Sequence, residues 1–239
     1  SFLKESSEQG ISQHIDVLEP ISINKGSSEI GGLYLHPDYR GMGLGRLLSL
    51  GRFMFMETHL RRFKDTVIAE MRGVSDASGY SPFWAHVGQR YLGISFKEAD
   101  LCSIQDPLFI KNCFPQVPVC VNLLDSSAQE VIGRAHQNTV PALRLLLSEG
   151  FDMTDCVDLF DAGPKIRAHC SSIRVMKDSK RAIVSGIEAS SLSKERYLVS
   201  SGNLSFFRVC CGPLQDDSKG GIALPSELAL SLDVAPGQS

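Results

Sequence analysis

No stretch of this 239-residue chain offers the roughly 20 consecutive apolar residues that a membrane-spanning helix needs. Its opening, SFLKESSEQG, lacks the basic, apolar and small-residue order of a secretory leader. A soluble cytoplasmic protein with no membrane partner is the expectation. Charge of one sign is also scarce: the formal net charge of -3 gives no global pull toward nucleic acid. There are seven cysteines and no C-x-x-C pair, so neither a metal-ligand set nor an even disulfide framework is indicated, and the thiols read as reduced and packed. The histidines at 14, 59, 86 and 169 share no ligand spacing, and His59 reads as helix surface. No metal site is expected. Repeats and low-complexity tracts are absent. What is present is an ordinary globular mixture, 43% hydrophobic and 21% charged, enough for one or two domains with a buried core. Small molecules or proteins are the natural partners.

The patterning supports an α/β chain in two parts. IDVLEPISI (15–23) reads as one strand leading into a loop at NKGSS, and EIGGLYLHP (29–37) as a buried strand stopped by Pro37. Leu44, Leu47, Leu48, Phe55 and Leu60 then fall close to helical spacing, with Arg61, Arg62 and Lys64 suited to the negative end of a helix. TVIAEMRGV (66–74) is a second strand, and FWAHVGQRYL (83–92) an amphipathic helix. SSAQEVIGRA (126–135) reads as a short helix capped by Ser126 or Ser127, and TVPALRLLLSEGF (139–151) as a helix with Pro141 in its first turn and Gly150 at its end. From about Lys165 the period turns to alternation, with IRVMKD, KRAIVSGIEA, RYLVSSG and SFFRVCCG as short strands. Residues 1–164 are therefore expected to form one domain, with an insertion at about 75–135, and residues 165–239 a small β-rich one.

The densest chemistry lies in HPDYRGMGLGRLL (36–48). Glycines 41, 43 and 45 stand directly before a helix, where backbone N–H groups and the positive helix end suit phosphate, and Arg40 adds a formal charge. A plain tight turn is the competing reading. A dinucleotide site is not supported, because the G-x-G-x-x-G spacing and a following acidic ribose binder are missing.

These residues resemble the coenzyme A-binding segment of the GCN5-related N-acetyltransferase fold, R/Q-x-x-G-x-G/A after an apolar strand. NTVPALRLLLSEGF is similar to that fold's later helix, with Asn138, Ala142, Gly150 and Phe151 in place and Leu146 where many members carry a tyrosine acid. More specifically, SSEIGGLYLHPDYR, GRFMFM, AEMRGVSDASGYSPFW and VIGRAHQNTVPA resemble the arginine N-succinyltransferase family over most of residues 27–165. The resemblance implies a central mixed sheet, with a small tail similar to double-psi β-barrels. It also implies transfer of a succinyl group from succinyl-CoA, a co-substrate rather than a tightly bound cofactor, to the α-amine of L-arginine. Family members are longer, so a partner subunit or an N-terminal fragment is expected to complete the fold, in an oligomer. The family's HPQT stands here as HQNT (136–139), and its acidic residue before the proline is His36. An ornithine or other amine acceptor, or a non-catalytic CoA-binding regulatory subunit, remain alternatives.

The resemblance also assigns roles. His136 is the implied proton donor to the departing thiolate, against the plainer reading of a solvent-facing loop histidine; an imidazole exchanges protons near neutrality. Leu33, Arg40, Gly41, Gly43, Leu44 and Gly45 are the implied acyl-CoA contacts, Leu33 through its backbone amide. Glu70 and Arg72 are candidate substrate-binding charges, or else a salt-bridged strand end. Tyr80, Phe83 and Trp84 either wall the site or belong to the core. Ser1 is read as a boundary rather than an amino-terminal nucleophile.

Overall fold

The computed structural model describes residues 2–6, 11–21, 26–106, 108–114, 116–188, 195–217 and 220–238. Strands β1 (Phe2–Ser6), β2 (Ile11–Ile15), β3 (Val17–Leu18) and β4 (Ser28–Glu29) precede helix α1 (Leu44–Thr58) and strand β5 (Thr66–Glu70). Next come α2 (Pro82–His86), α3 (Gly88–Leu92), α4 (Phe96–Gln105), α5 (Phe109–Cys113), β6 (Val119–Cys120) and α6 (Ser126–Gln129). Helix α7 (Val140–Ser148) leads into the pair β7 (Asp152–Val157) and β8 (Pro164–His169). The remainder is α8 (Arg174–Asp178), β9 (Ile183–Glu188), β10 (Tyr197–Ser201), β11 (Arg208–Gly212), β12 (Gln215–Asp216), β13 (Gly221–Pro225) and α9 (Ser226–Leu232).

Contacts group the chain into two units, residues 1–30 with 67–168 and residues 31–66 with 169–239. The first contains a mixed sheet in the order β4-β5-β8-β7, with β4 parallel to β5 and β7 antiparallel to β8. Short apolar runs build it: Val67, Ile68 and Ala69 are all buried. Around Trp84 lies the main helical core of this unit, where Phe83, Val87, Ala99, Phe114, Val131 and Ala162 are also buried. Trp84 donates its indole N–H to the Ile94 carbonyl at 3.0 Å and stacks on Phe160 with ring centres 5.3 Å apart. Ser81 caps the helix that carries it, and Pro82 presets the first turn. Phe83 and Trp84 are thus core, whereas Tyr80 is exposed.

In the second unit α1 buries Leu50, Phe53 and Met56 and touches α8 and the antiparallel ribbon β10–β11. Helix α9 packs on β11, β13 and β9, burying Leu228, Ala229 and Leu232 against Val184 and Leu224. The strands form a two-stranded ribbon and a three-stranded sheet, β12-β13-β9, and no closed barrel exists among the described residues. The barrel expectation is therefore corrected.

Several local expectations also change. The strand expected over 29–37 pairs only at Ser28–Glu29, with one further bond from Ile30 N–H to the Ile68 carbonyl at 2.9 Å. Gly32 then turns to φ +63°, which breaks the extended backbone, and Leu33 and Tyr34 become exposed instead of buried. The helix expected over 83–92 is split at Val87, where ψ is -80°. IRVMKD is mostly helix α8 rather than strand. The helix at 126–135 stops after Gln129, its N-cap is Asp125, and neither Ser126 nor Ser127 caps it. IDVLEPISI is broken after Ile15 and again after Leu18, while Ser22, Ile23, Asn24, Lys25 and Ser1 lie outside the described residues. His59 is not surface: its Nε2 is buried with no partner among the described residues, and its ring meets Phe55 edge-on at 4.8 Å.

Candidate active site

Strand β5 runs apolar until Glu70, and the segment after it is tied down through its main chain. The Met71 N–H donates to the Pro164 carbonyl at 3.0 Å, the Gly73 N–H to Asp161 Oδ2 at 2.7 Å, and the His136 N–H to the Arg72 carbonyl at 2.8 Å. Gly73 also bridges Ala135 in antiparallel fashion. Asp161, only 7% exposed, completes its solvation by accepting the Gly163 N–H at 2.8 Å. A buried carboxylate held by two backbone donors is a strong local clamp, since losing either would strand a charge. It fixes the MRG segment against the turn at 158–163.

Glu70 is part of an ion pair: Lys165 Nζ lies 2.5 Å from its Oε1, and both side chains are mostly covered. Arg72 has no acidic partner among the described residues; its Nη2 donates to Ser75 Oγ at 2.7 Å. The salt-bridged strand-end reading therefore fits Glu70 and not Arg72. Asp76 binds Ser78 and Tyr80 in its own loop, and the Ser78 hydroxyl with these N–H groups holds its carboxyl below the usual range.

His136 is anchored by its backbone. Besides the bond to Arg72, its carbonyl accepts the Thr139 and Val140 N–H groups at 2.8 and 3.1 Å as α7 begins. The Asn138 N–H donates to Nδ1 at 3.1 Å, which assigns the proton of the neutral ring to Nε2. The ring thus offers an Nε2–H donor. It borders an open hollow of about 440 Å³ lined by Val74, Ser75, Arg134, Ala135, His136 and Gln137.

Asp158 belongs to the turn that carries Asp161. Burial, then the charge of Asp161 and more weakly that of Glu70, push its carboxyl above the usual range despite the Phe160 N–H that it accepts at 2.7 Å. A raised folded-state value means that the folded chain holds this proton more tightly than the unfolded chain. The contribution to stability is full below the unfolded value and is lost as pH rises through the folded one. Asp158→Asn keeps the Oδ1 acceptor and removes the charge. Its thermal midpoint should exceed that of the wild type at pH 8, with the gap shrinking as pH falls toward 4; a gap unchanged across a pH series would contradict this.

The glycine turn belongs to the other unit. Gly41 and Gly43 have φ of +83° and +78°, and Gly43 caps α1 without any side-chain bond, so first-turn amides are left to other acceptors. Arg40 Nε donates to the Leu35 carbonyl at 3.1 Å, fixing the guanidinium at the turn. Leu44 and Gly45 begin the helix. The N–H of Leu33 has no partner among the described residues, and the residue is 42% exposed, not the core position expected of its side chain. Two neighbouring glycines should respond oppositely. Gly43→Ala forces a Cβ onto a left-handed backbone and should cost about 1 kcal/mol. At Gly45 a Cβ would only meet Leu35 Cδ2 at 3.7 Å, and Gly45→Ala should gain roughly 0.5 kcal/mol. Urea unfolding checks the signs, and shifts in the same direction would refute the argument.

Glu70, Arg72 and His136 thus lie in one unit, the last two bonded directly, and Leu33, Arg40, Gly41, Gly43, Leu44 and Gly45 in the other. Sequence reasoning missed Lys165, Asp161, Ser75 and Arg134. Lys165 is 95 residues from Glu70 and Asp161 is 88 from Gly73, so no local pattern links them.

A family model described as "Arginine N-succinyltransferase beta subunit" matches residues 1–175, and one for that subunit's C-terminal domain matches residues 180–239. The arginine N-succinyltransferases of Escherichia coli (strain K12 / DH10B) and Shigella boydii serotype 18 are each 40% identical over 185 residues, covering 77% of this chain and 54% of the relative. The chain spans about half the length of these curated relatives. Among solved structures, arginine/ornithine succinyltransferase subunit AI from Pseudomonas aeruginosa is similar with a TM-score of 0.84 and 32% identity, over 99% of this chain and 68% of that one.

Proposed function

This chain belongs to the arginine N-succinyltransferase family, and from that premise we propose that it supplies the acyl-CoA and proton-transfer residues of an enzyme moving succinyl from succinyl-CoA to the α-amine of L-arginine. The neutral amine attacks the thioester carbonyl, a C–N bond forms, and the tetrahedral oxyanion collapses with loss of the C–S bond. The amine's proton leaves to water or a base, and the CoA thiolate takes a proton from the imidazolium form of His136, which returns to the neutral ring. Backbone N–H groups are the natural donors to the oxyanion, and that of Leu33 is assigned this role. The glycine turn with Arg40 takes the pyrophosphate, and Glu70 the substrate's positive charge. For Glu70 this means competing with Lys165, so its contribution is electrostatic rather than an exclusive ion pair.

The observation that carries this reading is His136, held by its backbone, with Nδ1 occupied by the Asn138 N–H and the residue lining an open hollow. Ornithine is kept as a second acceptor, because the solved relative bears both amino acids in its name. A partner subunit, or the remaining length of the family, is proposed to complete the enzyme as an oligomer. No helix of the described residues is long and apolar enough to cross a membrane, and we assign the reaction to the cytoplasm. The test is CoA release, separated chromatographically, with the chain alone and with the missing family segment added. Release requiring both succinyl-CoA and arginine is expected. Tight CoA binding without turnover in either case would favour the regulatory-subunit alternative, and a matched amine panel would separate arginine from ornithine.

A further inference from the structure

Resting on the acyl-transfer reading above, we infer that Arg134, on the segment paired with the one that carries Arg72, forms a carboxylate-recognising subsite next to His136 and determines which substrates are used. Arg134 lines the same hollow as His136 and Ser75, and it follows Gly133, whose N–H is pinned to the Ala162 carbonyl at 2.8 Å. Its own N–H bonds the Val131 carbonyl at 3.0 Å, so the main chain carrying the guanidinium is held on both sides. Arg72 stands on the opposing segment, across the Gly73–Ala135 bridge, and its Nη2 donates to the hydroxyl of Ser75, which lines the hollow.

The charge around these two groups is unbalanced. Among the described residues neither guanidinium has an acidic partner, and no acid lines the hollow. Three carboxylates of the same unit are engaged elsewhere: Glu70 by Lys165, Asp161 by the Gly73 and Gly163 N–H groups, Asp76 by Ser78 and Tyr80. A guanidinium offers a planar fork of donors that matches a carboxylate bidentately, which an ammonium does not. The ligand class is therefore a free carboxylate reaching the hollow while the reacting carbonyl or amine is at His136. Two groups in the proposed reaction qualify: the terminal carboxylate of the acyl donor and the α-carboxylate of the acceptor.

The test uses the full chain under whatever conditions give wild-type turnover. Arg134→Ala should lower kcat/KM for succinyl-CoA with arginine by about 10- to 100-fold, the scale of one charge-assisted contact, and Arg134→Lys by less. If the acyl carboxylate is the ligand, wild type and Arg134→Ala should differ by no more than about twofold with butyryl-CoA, which has the same chain length and no carboxylate. If the α-carboxylate is the ligand, that near-equality should appear with agmatine in place of arginine. An equal loss in all three combinations, or no loss with the natural pair, would overturn the subsite. Ligand binding separates this from failure of the reaction itself. Succinamate or arginine, but neither succinamide nor agmatine, should shift the Arg134 Nε–H resonance in the wild type, whether or not turnover is seen, and no shift with either carboxylate would sink the inference alone.

Discussion

Replacing His136 with alanine is expected to slow CoA release about 10²- to 10⁴-fold, the usual contribution of a positioned proton donor, while CoA affinity stays within about twofold. The fold should tolerate the change. Among the described residues three backbone bonds hold residue 136, two through its carbonyl and one through its N–H, and the ring contributes only the bond from Asn138. That last bond shapes a sharper test. A neutral ring with Nδ1 occupied presents Nε2–H as a hydrogen-bond donor; to deliver a full proton and remain neutral, the ring must first be protonated at Nδ1 and give up the Asn138 N–H. His136→Gln keeps a donor but cannot transfer a proton. Loss comparable with the alanine variant means proton transfer, whereas substantial rescue by glutamine would reduce the role to hydrogen bonding. Near-wild-type turnover in His136→Ala would remove the residue from the mechanism.

Gly73→Ala should be strongly disruptive in the first unit. A Cβ there would lie 2.3 Å from the Asp161 carbonyl oxygen, 2.6 Å from its Oδ1 and 2.7 Å from the Gly163 nitrogen. None of these can swing aside, because two are main chain and the third is the buried carboxylate already bonded to the Gly73 and Gly163 N–H groups. Overpacking of this kind, together with a stranded charge, is expected to cost about 3 kcal/mol or more. Activity should fall further than the folded fraction, since the Gly73–Ala135 bridge carries Arg134 and His136. Gly79→Ala is the comparison: its φ is +87°, yet an added Cβ meets nothing, so only about 1 kcal/mol of backbone strain is expected. Urea unfolding of both variants decides, and equal losses would mean that the segment is not the rigid support inferred.

Local chemistry was readable wherever it depended on neighbours in sequence. The positive φ of Gly41 and Gly43 before α1, Pro141 in the first turn of α7 and Gly150 just past its end all obey steric rules that act within a few residues. EIGGLYLHP misled because its apolar content argues for burial, while the Gly31-Gly32 pair, which lets the chain leave the sheet, adds nothing to a hydrophobic pattern. IRVMKD misled for a related reason, being too short for its period to separate helix from strand.

By itself the sequence determined the mixed α/β character, the glycine turn at a helix start and, through its long matching segments, the family. It could name Glu70, Arg72 and His136, but it could not say what holds them. Only the tertiary structure decided that Glu70 is paired with Lys165, that Arg72 and His136 share a backbone bond, and that Arg134 lines a hollow with no acid among the described residues. Spacing along the chain encodes backbone geometry over a few residues. Charge balance depends on which side chains meet across the fold, and those partners come from segments about 60 to 95 residues apart, far beyond any period a sequence displays.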